Sequence, residues 1–232
     1  MNRNNFFVSV VIPVFNEERT IGDIITRTRN TLEKFKIPYE VLVIDDGSVD
    51  RSPDISKAKE ANVYRVTHQG KGYAIRSGFK RGKGNIIVTL DSDGSHKPEE
   101  IPLMLQCIME NKADFTIGSR FFEAEANKVK IPEVNRIGNR IFNCLIGLLT
   151  GVKISDSQSG FRAIRSDVIK DMKLNSRGYE LESEMLVKAL KMRVRVAEVP
   201  ISFKQRTVGK SRLDPIKDGI RILNSIITSY LF

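Results

Sequence analysis

Short β-branched runs alternate with helical patterns from the start of this chain to about residue 120, and no other feature constrains the fold as strongly. Strands and helices in this order are typical of βαβ units, which build a parallel sheet. The predicted strands are 8–13, 40–44, 62–66, 85–90 and 114–119. The predicted helices are 19–35, 53–60, 72–81 and 98–110. The sequence therefore predicts an α/β fold with a mostly parallel sheet.

The pattern changes after residue 120. A linker from Phe121 to Pro132 is rich in Glu, Lys and Ala. The elements predicted beyond it are helices at 135–149, 178–192 and 215–231 and strands at 160–165 and 194–203. At 232 residues the chain is long enough for one sizeable hydrophobic core and short for two. We therefore expect a single domain over 1–232, in which 121–232 completes the part formed by 1–120.

Polar clusters follow all five predicted strands of the first part. Ligands of open parallel sheets bind outside the carboxyl ends of the strands, because loops and helix N-termini converge there. The clusters are Asn16-Glu17, Asp45-Asp46-Gly47-Ser48, His68 to Gly72, Asp91-Ser92-Asp93 and Arg120. We expect these clusters to line one crevice.

Asp91 and Asp93 lie two residues apart and can direct oxygen atoms toward one cation. Carboxylate and phosphate oxygens are the ligands that Mg²⁺ and Mn²⁺ prefer. Two carboxylates do not complete a metal site, so the remaining ligands would be diphosphate oxygens and water. The alternative interpretation is an acidic turn, since Asp93-Gly94-Ser95 is also good turn chemistry.

Two further motifs leave alternatives open. Asp45 and Asp46 form either a simple Asp-Gly turn or acceptors for a base edge and ribose hydroxyls. Gly70-Lys71-Gly72 is glycine-rich, but Ile75 stands where a dinucleotide motif has its third glycine, and Gly-Lys-Ser/Thr is absent. Lys71 and Arg76 either face a nucleotide or belong to a solvated basic helix face.

The histidines and cysteines are expected to be structural. His68 and His96 lack metal-ligand spacing, and Cys107 and Cys144 form neither a CxxC pair nor a metal cluster. Each cysteine stands among Leu, Ile and Met, so we predict buried free thiols. These would suit a reducing compartment.

The chain is basic, with 38 Lys and Arg against 28 Asp and Glu and a net charge of +10. This favours a polyanionic partner: nucleic acid, anionic lipid or a phosphorylated substrate. A non-catalytic nucleic-acid module would need an aromatic stacking platform, yet there is no Trp and the Phe residues stand in core-like contexts. No window contains the roughly 18 consecutive apolar residues that span a bilayer, so we expect no crossing by this chain alone.

Five motifs resemble, in order, those of inverting family 2 glycosyltransferases with the GT-A fold: VSVVIPVFNEE, VLVIDDGSVDRS, GKGYAIRSG, TLDSDGSHKPEEI and IGSRF. The later motifs DSQSGFRAIRSDV, GYELESEMLVKAL and EVPISFKQRTVGKSRL resemble the dolichyl-phosphate mannose synthase subgroup of polyprenyl-phosphate sugar transferases. The resemblance covers nearly the whole chain. It implies a three-layer α/β/α fold with a Rossmann-like sheet, in which 1–120 binds a nucleotide-sugar and 121–232 faces the acceptor and a membrane.

The resemblance also assigns roles to residues. The nucleotide would be bound by Pro13, Asn16, Glu17, Asp45, Asp46 and Lys71, and the metal and diphosphate by Asp91 and Asp93. Arg120 and Arg206 would meet the phosphates during catalysis, and the acceptor phosphate would meet Arg136 or Arg140, with Ser211 and Arg212 in the loop Gly209 to Arg212. Two departures from the family pattern are Ser95 in place of a frequent Gln and Arg212 in place of a frequent Lys.

The implied function is transfer of a hexose, mannose favoured over glucose, from a GDP- or UDP-sugar to dolichyl or another polyprenyl phosphate, with Mg²⁺ or Mn²⁺. An ionised phosphate needs no activating base, and Asp156 would then have a structural role behind the site. If the acceptor were a saccharide or protein hydroxyl instead, Asp156 would be the base. Helices 215–231 and 135–149 are amphipathic and would either lie in a membrane interface or pack on the sheet. We expect a protein that is peripheral on the cytoplasmic face of a membrane. A membrane-anchoring protein is a possible partner, and we expect no nucleic acid as a partner.

Overall fold

The computed structural model describes residues 6–121, 131–206 and 212–232. The strands are β1 (Val8–Val14), β2 (Tyr39–Asp45), β3 (Asn62–Arg65), β4 (Ile86–Thr89), β5 (Phe115–Ser119), β6 (Arg162–Arg165) and β7 (Val196–Pro200). The helices are α1 (Ile21–Lys34), α2 (Ser52–Ala58), α3 (Lys71–Phe79), α4 (Ile101–Met109, after a 3-10 turn at Pro98–Glu100), α5 (Glu133–Thr150), α6 (Ser166–Asp171), α7 (Leu181–Lys191) and α8 (Lys217–Leu231).

The seven strands form one sheet in the order β3-β2-β1-β4-β6-β5-β7. Strands β1, β2, β3 and β4 pair in parallel, as do β5 and β7. Strand β6 lies between β4 and β5 and is antiparallel to both. The mostly parallel sheet is therefore confirmed, with one reversed strand that the predicted order of elements did not reveal.

Helices cover both faces of the sheet and give three layers. On one face, α1 and α4 pack against residues such as Val10 and Ile12 of β1. On the other face, α3, α5, α7 and α8 pack against a second cluster that includes Val11 of the same strand. Because β1 is buried along its whole length, its sequence is apolar at every position except Ser9 rather than alternating.

Most predicted elements are confirmed, and three details are wrong. Helix α6, which follows β6 directly, was not predicted, and β7 is shorter than the predicted strand 194–203. Cys144 is exposed on α5, and Cys107 is partly buried, so the prediction of two buried thiols is wrong. The predicted linker falls almost entirely outside the described residues, which exclude 122–130.

Helices α5 and α8 pack on each other and each leaves an apolar side uncovered. We call these two sides, listed next, the apolar face of α5 and α8. Its residues are Val134, Ile137, Ile141, Leu148, Ile216, Ile220, Ile227 and Tyr230. In α8 these exposed residues belong to the helix predicted as amphipathic at 215–231, whereas in the helix predicted at 135–149 the apolar residues are divided between exposed Ile137 and Ile141 and buried Phe142. None of the helices within the described ranges is both long and apolar enough to cross a membrane.

Candidate active site

A cleft of about 870 Å³ opens at the carboxyl ends of β1, β2 and β4. These three strands are neighbours in parallel register, so the turns that follow them meet at one edge of the sheet. Eight of the predicted site residues line the cleft: Pro13, Glu17, Asp46, Lys71, Asp91, Asp93, Arg206 and Arg212. The parallel sheet therefore brings together residues that are far apart in the sequence, as the positions of the strand ends predicted.

Asp91 and Lys71 form an ion pair at the floor of the cleft. Lys71 Nζ lies 2.7 Å from Asp91 Oδ1 and 2.9 Å from Glu182 Oε1, which comes from the first turn of α7. Although burial alone would raise it, the pKa of Asp91 lies below its ordinary value because the Lys71 ammonium stabilises the carboxylate. Asp91 is therefore ionised and already has a cationic partner from the protein.

Asp93 is less heavily engaged than Asp91. One of its oxygens accepts a hydrogen bond from the Ser95 backbone N–H, and the other lies 3.9 Å from Arg206 Nη1. Arg206 also donates to Glu17, so it crosses the cleft from the segment after β7 to the turn after β1. Burial raises the pKa of Glu17 in spite of this arginine.

The donor set fits a divalent cation that arrives with phosphate oxygens. Asp91 and Asp93 supply hard carboxylate oxygens, and both side chains are partly accessible from the cleft. Across the described residues, no group of three His, Cys, Asp or Glu side chains is placed to hold a metal by itself. Two carboxylates would therefore need ligands from the substrate.

The turn after β2 is held by its own carboxylates. Asp46 accepts hydrogen bonds from the backbone N–H groups of Gln69 and Gly70, and His68 Nδ1 lies 2.9 Å from its Oδ2. Asp45 is fully buried and accepts from the Ser48 N–H. Asp46 thus presents an edge to the cleft, whereas Asp45 shapes the turn beneath it.

Aromatic and cationic groups stack at the other side of the cleft. The ring of Phe15 stacks on His68 with centroids 4.3 Å apart, and the Arg212 guanidinium lies 4.0 Å from the centroid of Phe15. Asn16 follows with a φ of 55°, in the left-handed region that Asn tolerates, and its side chain accepts from the Val49 N–H. Hydrogen bonds of Asn16 with Val49 and Ser48 thus connect the turn after β1 to the turn after β2.

Arg120 and Asp156 form a bidentate buried pair beside the cleft. Arg120 donates from Nε and Nη2 to the two Asp156 oxygens at 2.7 and 2.8 Å, and its backbone N–H donates to Oδ2 at 3.0 Å. Asp156 is fully buried. Glu198 on β7 fixes the position of this segment by accepting from the Ser155 and Asp156 N–H groups.

Several predicted site residues do not line the cleft. These are Asn16, Asp45, Arg120, Asp156, Arg136 and Arg140, and the last two are exposed on α5. Ser211, with most of the predicted loop 209–212, lies outside the described residues. The roles that the resemblance gave to these residues stay predictions.

The structure adds a cleft wall that the sequence did not reveal. The segment 175–180 lines the cleft, and Glu182 stands just behind it. Glu184 accepts hydrogen bonds from the backbone N–H groups of Asn175 and Ser176 and so holds this wall. The acidic side chains of GYELESEM were visible as a motif, but only the packing of α7 shows which ones face inward.

His96 is buried, and its Nδ1 lies 3.8 Å from Asp91 Oδ2, beyond hydrogen-bond distance. Its ring packs near Phe161 and Phe203, and neither ring nitrogen makes a hydrogen bond within the described residues. Burial lowers its pKa, so the imidazole is neutral. This agrees with the structural role predicted for it.

Comparison with known proteins bears on what this cleft does. The model of glycosyl transferase family 2 matches residues 9–173. A dolichol-phosphate mannosyltransferase of Pyrococcus furiosus is 33% identical, over 89% of this chain and 59% of its own length. An undecaprenyl-phosphate mannosyltransferase of Micrococcus luteus is 29% identical, over 94% of this chain and 91% of its own length. This chain thus spans less than two thirds of the Pyrococcus protein and most of the Micrococcus protein.

The fold also matches solved structures. A glucosyl-3-phosphoglycerate synthase from Mycobacterium tuberculosis, crystallised with Mn²⁺, UDP-glucose and phosphoglyceric acid, superposes with a TM-score of 0.77. The match covers 99% of this chain and 82% of that chain at 20% identity. It confirms the predicted GT-A-type architecture.

Proposed function

The chain belongs to glycosyl transferase family 2, and we propose that it transfers a hexose from a nucleotide-sugar to a polyprenyl phosphate, with inversion at the anomeric carbon. The activity class follows from the family. The acceptor and the stereochemistry are supported by the cleft and by the names of the relatives, two of which are polyprenyl-phosphate mannosyltransferases. Mannose is accordingly the favoured sugar.

The ion pair between Asp156 and Arg120 is the main observation that favours a phosphate acceptor over a hydroxyl acceptor. A hydroxyl acceptor needs a general base within reach of its proton. Asp156, the residue predicted for that role, is fully buried and bound on both oxygens by Arg120. A base bound in this way has no accessible lone pair for substrate, which favours an acceptor that arrives ionised.

The carboxylates that line the cleft each interact with the protein through at least one oxygen. Each of these carboxylates accepts a hydrogen bond from another residue or forms an ion pair with one. They are Glu17, Asp46, Asp91, Asp93, Glu180 and Asp218. An anionic phosphate oxygen attacks the anomeric carbon directly, so no proton has to be removed first. The work left to the protein is orientation and charge stabilisation.

Cationic side chains would carry that work. Arg206 and Arg212 line the cleft, Lys71 lies at its floor, and Arg120 is held beside it by Asp156. Asp91 and Asp93 would hold a Mg²⁺ or Mn²⁺ ion, which when bound would stabilise the charge on the departing diphosphate. Asp46 would contact the nucleoside of a GDP- or UDP-sugar from the opposite side.

The apolar face of α5 and α8 would keep the lipid acceptor near the cleft. Arg221, on the same helix as the exposed Ile220, also lines the cleft, so the site lies beside an apolar surface. An exposed amphipathic helix with nearby basic residues suits a membrane interface. We place the protein on the cytoplasmic face of a membrane, where its two free cysteines would stay reduced.

A donor and acceptor panel tests this proposal. Radiolabelled GDP- and UDP-hexoses are incubated with the protein, Mg²⁺ or Mn²⁺, and either a polyprenyl phosphate or saccharide acceptors. We expect label in the lipid fraction, dependent on the divalent cation and strongest with one mannosyl donor. Label confined to saccharides would support the hydroxyl acceptor and Asp156 as a base.

A further inference from the structure

Lys71 contacts two carboxylates that come from different parts of the fold. Its ammonium nitrogen lies 2.7 Å from Asp91 Oδ1 and 2.9 Å from Glu182 Oε1. Burial works against the ammonium, but the two carboxylates outweigh it and raise the pKa of Lys71 above its ordinary value. The Lys71 ammonium is therefore paired with one oxygen of Asp91, a carboxylate that the proposed function assigns to a divalent cation.

Close packing around the ammonium shows that its position is built into the fold. A Cβ added at Gly160 would lie 2.7 Å from Asp91 Oδ2 and 2.9 Å from Lys71 Nζ. A Cβ at Gly72 would lie 2.6 Å from the carbonyl oxygen of Gly178, so α3 rests directly on the cleft wall. A side chain at Gly72 would collide with the backbone of the cleft wall, and one at Gly160 would displace the ends of the Asp91 and Lys71 side chains.

The Glu182 carboxylate needs the Lys71 ammonium as its partner more than the Asp91 carboxylate does. The Glu182 side chain is 5% exposed, and no other hydrogen-bond donor of the described residues reaches its carboxylate oxygens. Departure of the ammonium would leave the buried Glu182 carboxylate without its close ion-pair partner, which is costly even though the Arg162 guanidinium is nearby. Asp91, in contrast, is 22% exposed to the cleft and can exchange one cation for another.

We propose that Lys71 neutralises Asp91 until the donor binds, and that Glu182 then retains the ammonium while the divalent cation takes its place on Asp91. Glu182 is thus a positioning residue, and it acts through Lys71. The inference rests on the proposed nucleotide-sugar donor, and it implies that the cation binds tightly only together with the nucleotide. Lys71 would remain beside the diphosphate as a second positive charge.

Manganese binding without nucleotide tests the first half of the proposal. Free Mn²⁺ is measured by electron paramagnetic resonance during titration of the wild type, Lys71→Met and the control Lys80→Met, an exposed lysine at the end of the same helix. We expect Lys71→Met to bind Mn²⁺ about tenfold more tightly or better, because Asp91 and Glu182 lose their competing cation. The control should match the wild type.

Glu182→Gln tests the second half and does not require Lys71→Met to fold. With saturating GDP or UDP, this variant should bind Mn²⁺ about tenfold more weakly than the wild type, because loss of the Glu182 charge leaves Asp91 as the carboxylate that pairs with the ammonium. Wild-type Mn²⁺ affinity in a folded Lys71→Met, or in Glu182→Gln with both nucleotides, would overturn the proposal. No acceptor enters these titrations, so failure of lipid glycosylation would leave their result unchanged.

Discussion

At the scale of single residues, Asp93 is the carboxylate most open to a cation. Within the described residues, the Ser95 N–H donates to it at 3.0 Å, and Arg206 Nη1 lies 3.9 Å away. We predict that Asp93→Ala lowers hexose transfer by about 10²-fold or more while the fold persists, since one charge-stabilising group of this kind contributes that much. The assay is transfer per folded molecule, with circular dichroism to check folding.

The control for this variant is Asp54→Ala, which removes an exposed carboxylate from α2, away from the cleft. It should retain wild-type transfer. Full activity of Asp93→Ala in the presence of a chelator would contradict the metal assignment.

Replacing Asp156 tests whether its carboxylate has a structural role or a catalytic one. Because the variant removes the carboxylate partner of the Arg120 guanidinium, whose side chain is 17% exposed, Asp156→Asn should lower the free energy of unfolding by about 3–5 kcal/mol. Asp114→Asn is the matched control: it loosens a bidentate pair with Arg195, which is half exposed, and an ion pair with the partly exposed Arg165, and it should cost about 1 kcal/mol or less. Both values come from denaturant unfolding.

The pH profile of Asp156→Asn distinguishes the two roles directly. Residual transfer to polyprenyl phosphate should keep the wild-type profile, because the residue takes no proton from the acceptor. If the acidic limb of the profile disappears in the variant, Asp156 acts as a base.

Some residues were predictable from sequence because strand ends in a parallel sheet converge. Asp91, Asp93 and Asp46 needed only that argument to be placed in one cleft. Glu182 was not predictable, because its inward direction depends on how α7 packs against α3. The engagement of Asp156 by Arg120 was likewise hidden, since it requires two distant segments to meet.

At the scale of elements, the cleft wall 175–180 is tied to α7 through Glu184. Burial of Glu184 opposes its ionisation, but Lys188 and the N–H groups of Ser176 and Asn175 lower its pKa below the ordinary 4.5. A lowered carboxyl pKa stabilises the fold above the unfolded-state value and loses that contribution as the pH falls through the folded-state value. Glu184→Gln should therefore be less stable than the wild type at neutral pH.

The pH dependence of that difference is the measurement. Unfolding free energies of wild type and Glu184→Gln should converge as the pH falls below about 4.5. A stability difference that stays constant from neutral to acidic pH would mean that the carboxylate charge does not hold the wall.

Element types were predictable from periodicity, and element neighbours were not. The alternation of strands and helices predicted β1 to β5 and the helices between them within a few residues. The antiparallel insertion of β6 between β4 and β5 is a long-range pairing, which local patterns do not encode. Helix α6 is only six residues long and has too few turns to show a helical period.

At the scale of the whole molecule, the apolar face of α5 and α8 should determine membrane binding. Ile216 and Ile220 are 74% and 64% exposed, so replacing both by Ser should leave the fold stable. Each buried aliphatic side chain contributes about 1.5–3 kcal/mol, so the double variant should bind vesicles containing polyprenyl phosphate about tenfold more weakly or worse. Vesicle sedimentation measures this.

Val49→Ser is the control for this prediction, because Val49 is 89% exposed but lies in the loop between β2 and α2. It should bind vesicles as the wild type does. Equal vesicle binding by the wild type, the double variant and Val49→Ser would mean that the apolar face of α5 and α8 does not bind the membrane. The proposed catalytic activity does not depend on that result.

A pair of acceptors that differ only in the phosphate tests the central claim most directly. The wild type is supplied with its best nucleotide-hexose and with either a polyprenyl phosphate or the same polyprenol, and the products are analysed by ³¹P and ¹H NMR. The account predicts a glycosyl phosphodiester of inverted anomeric configuration from the phosphate and no product from the alcohol. Comparable transfer to the alcohol would contradict it, because the cleft would then have to contain a general base.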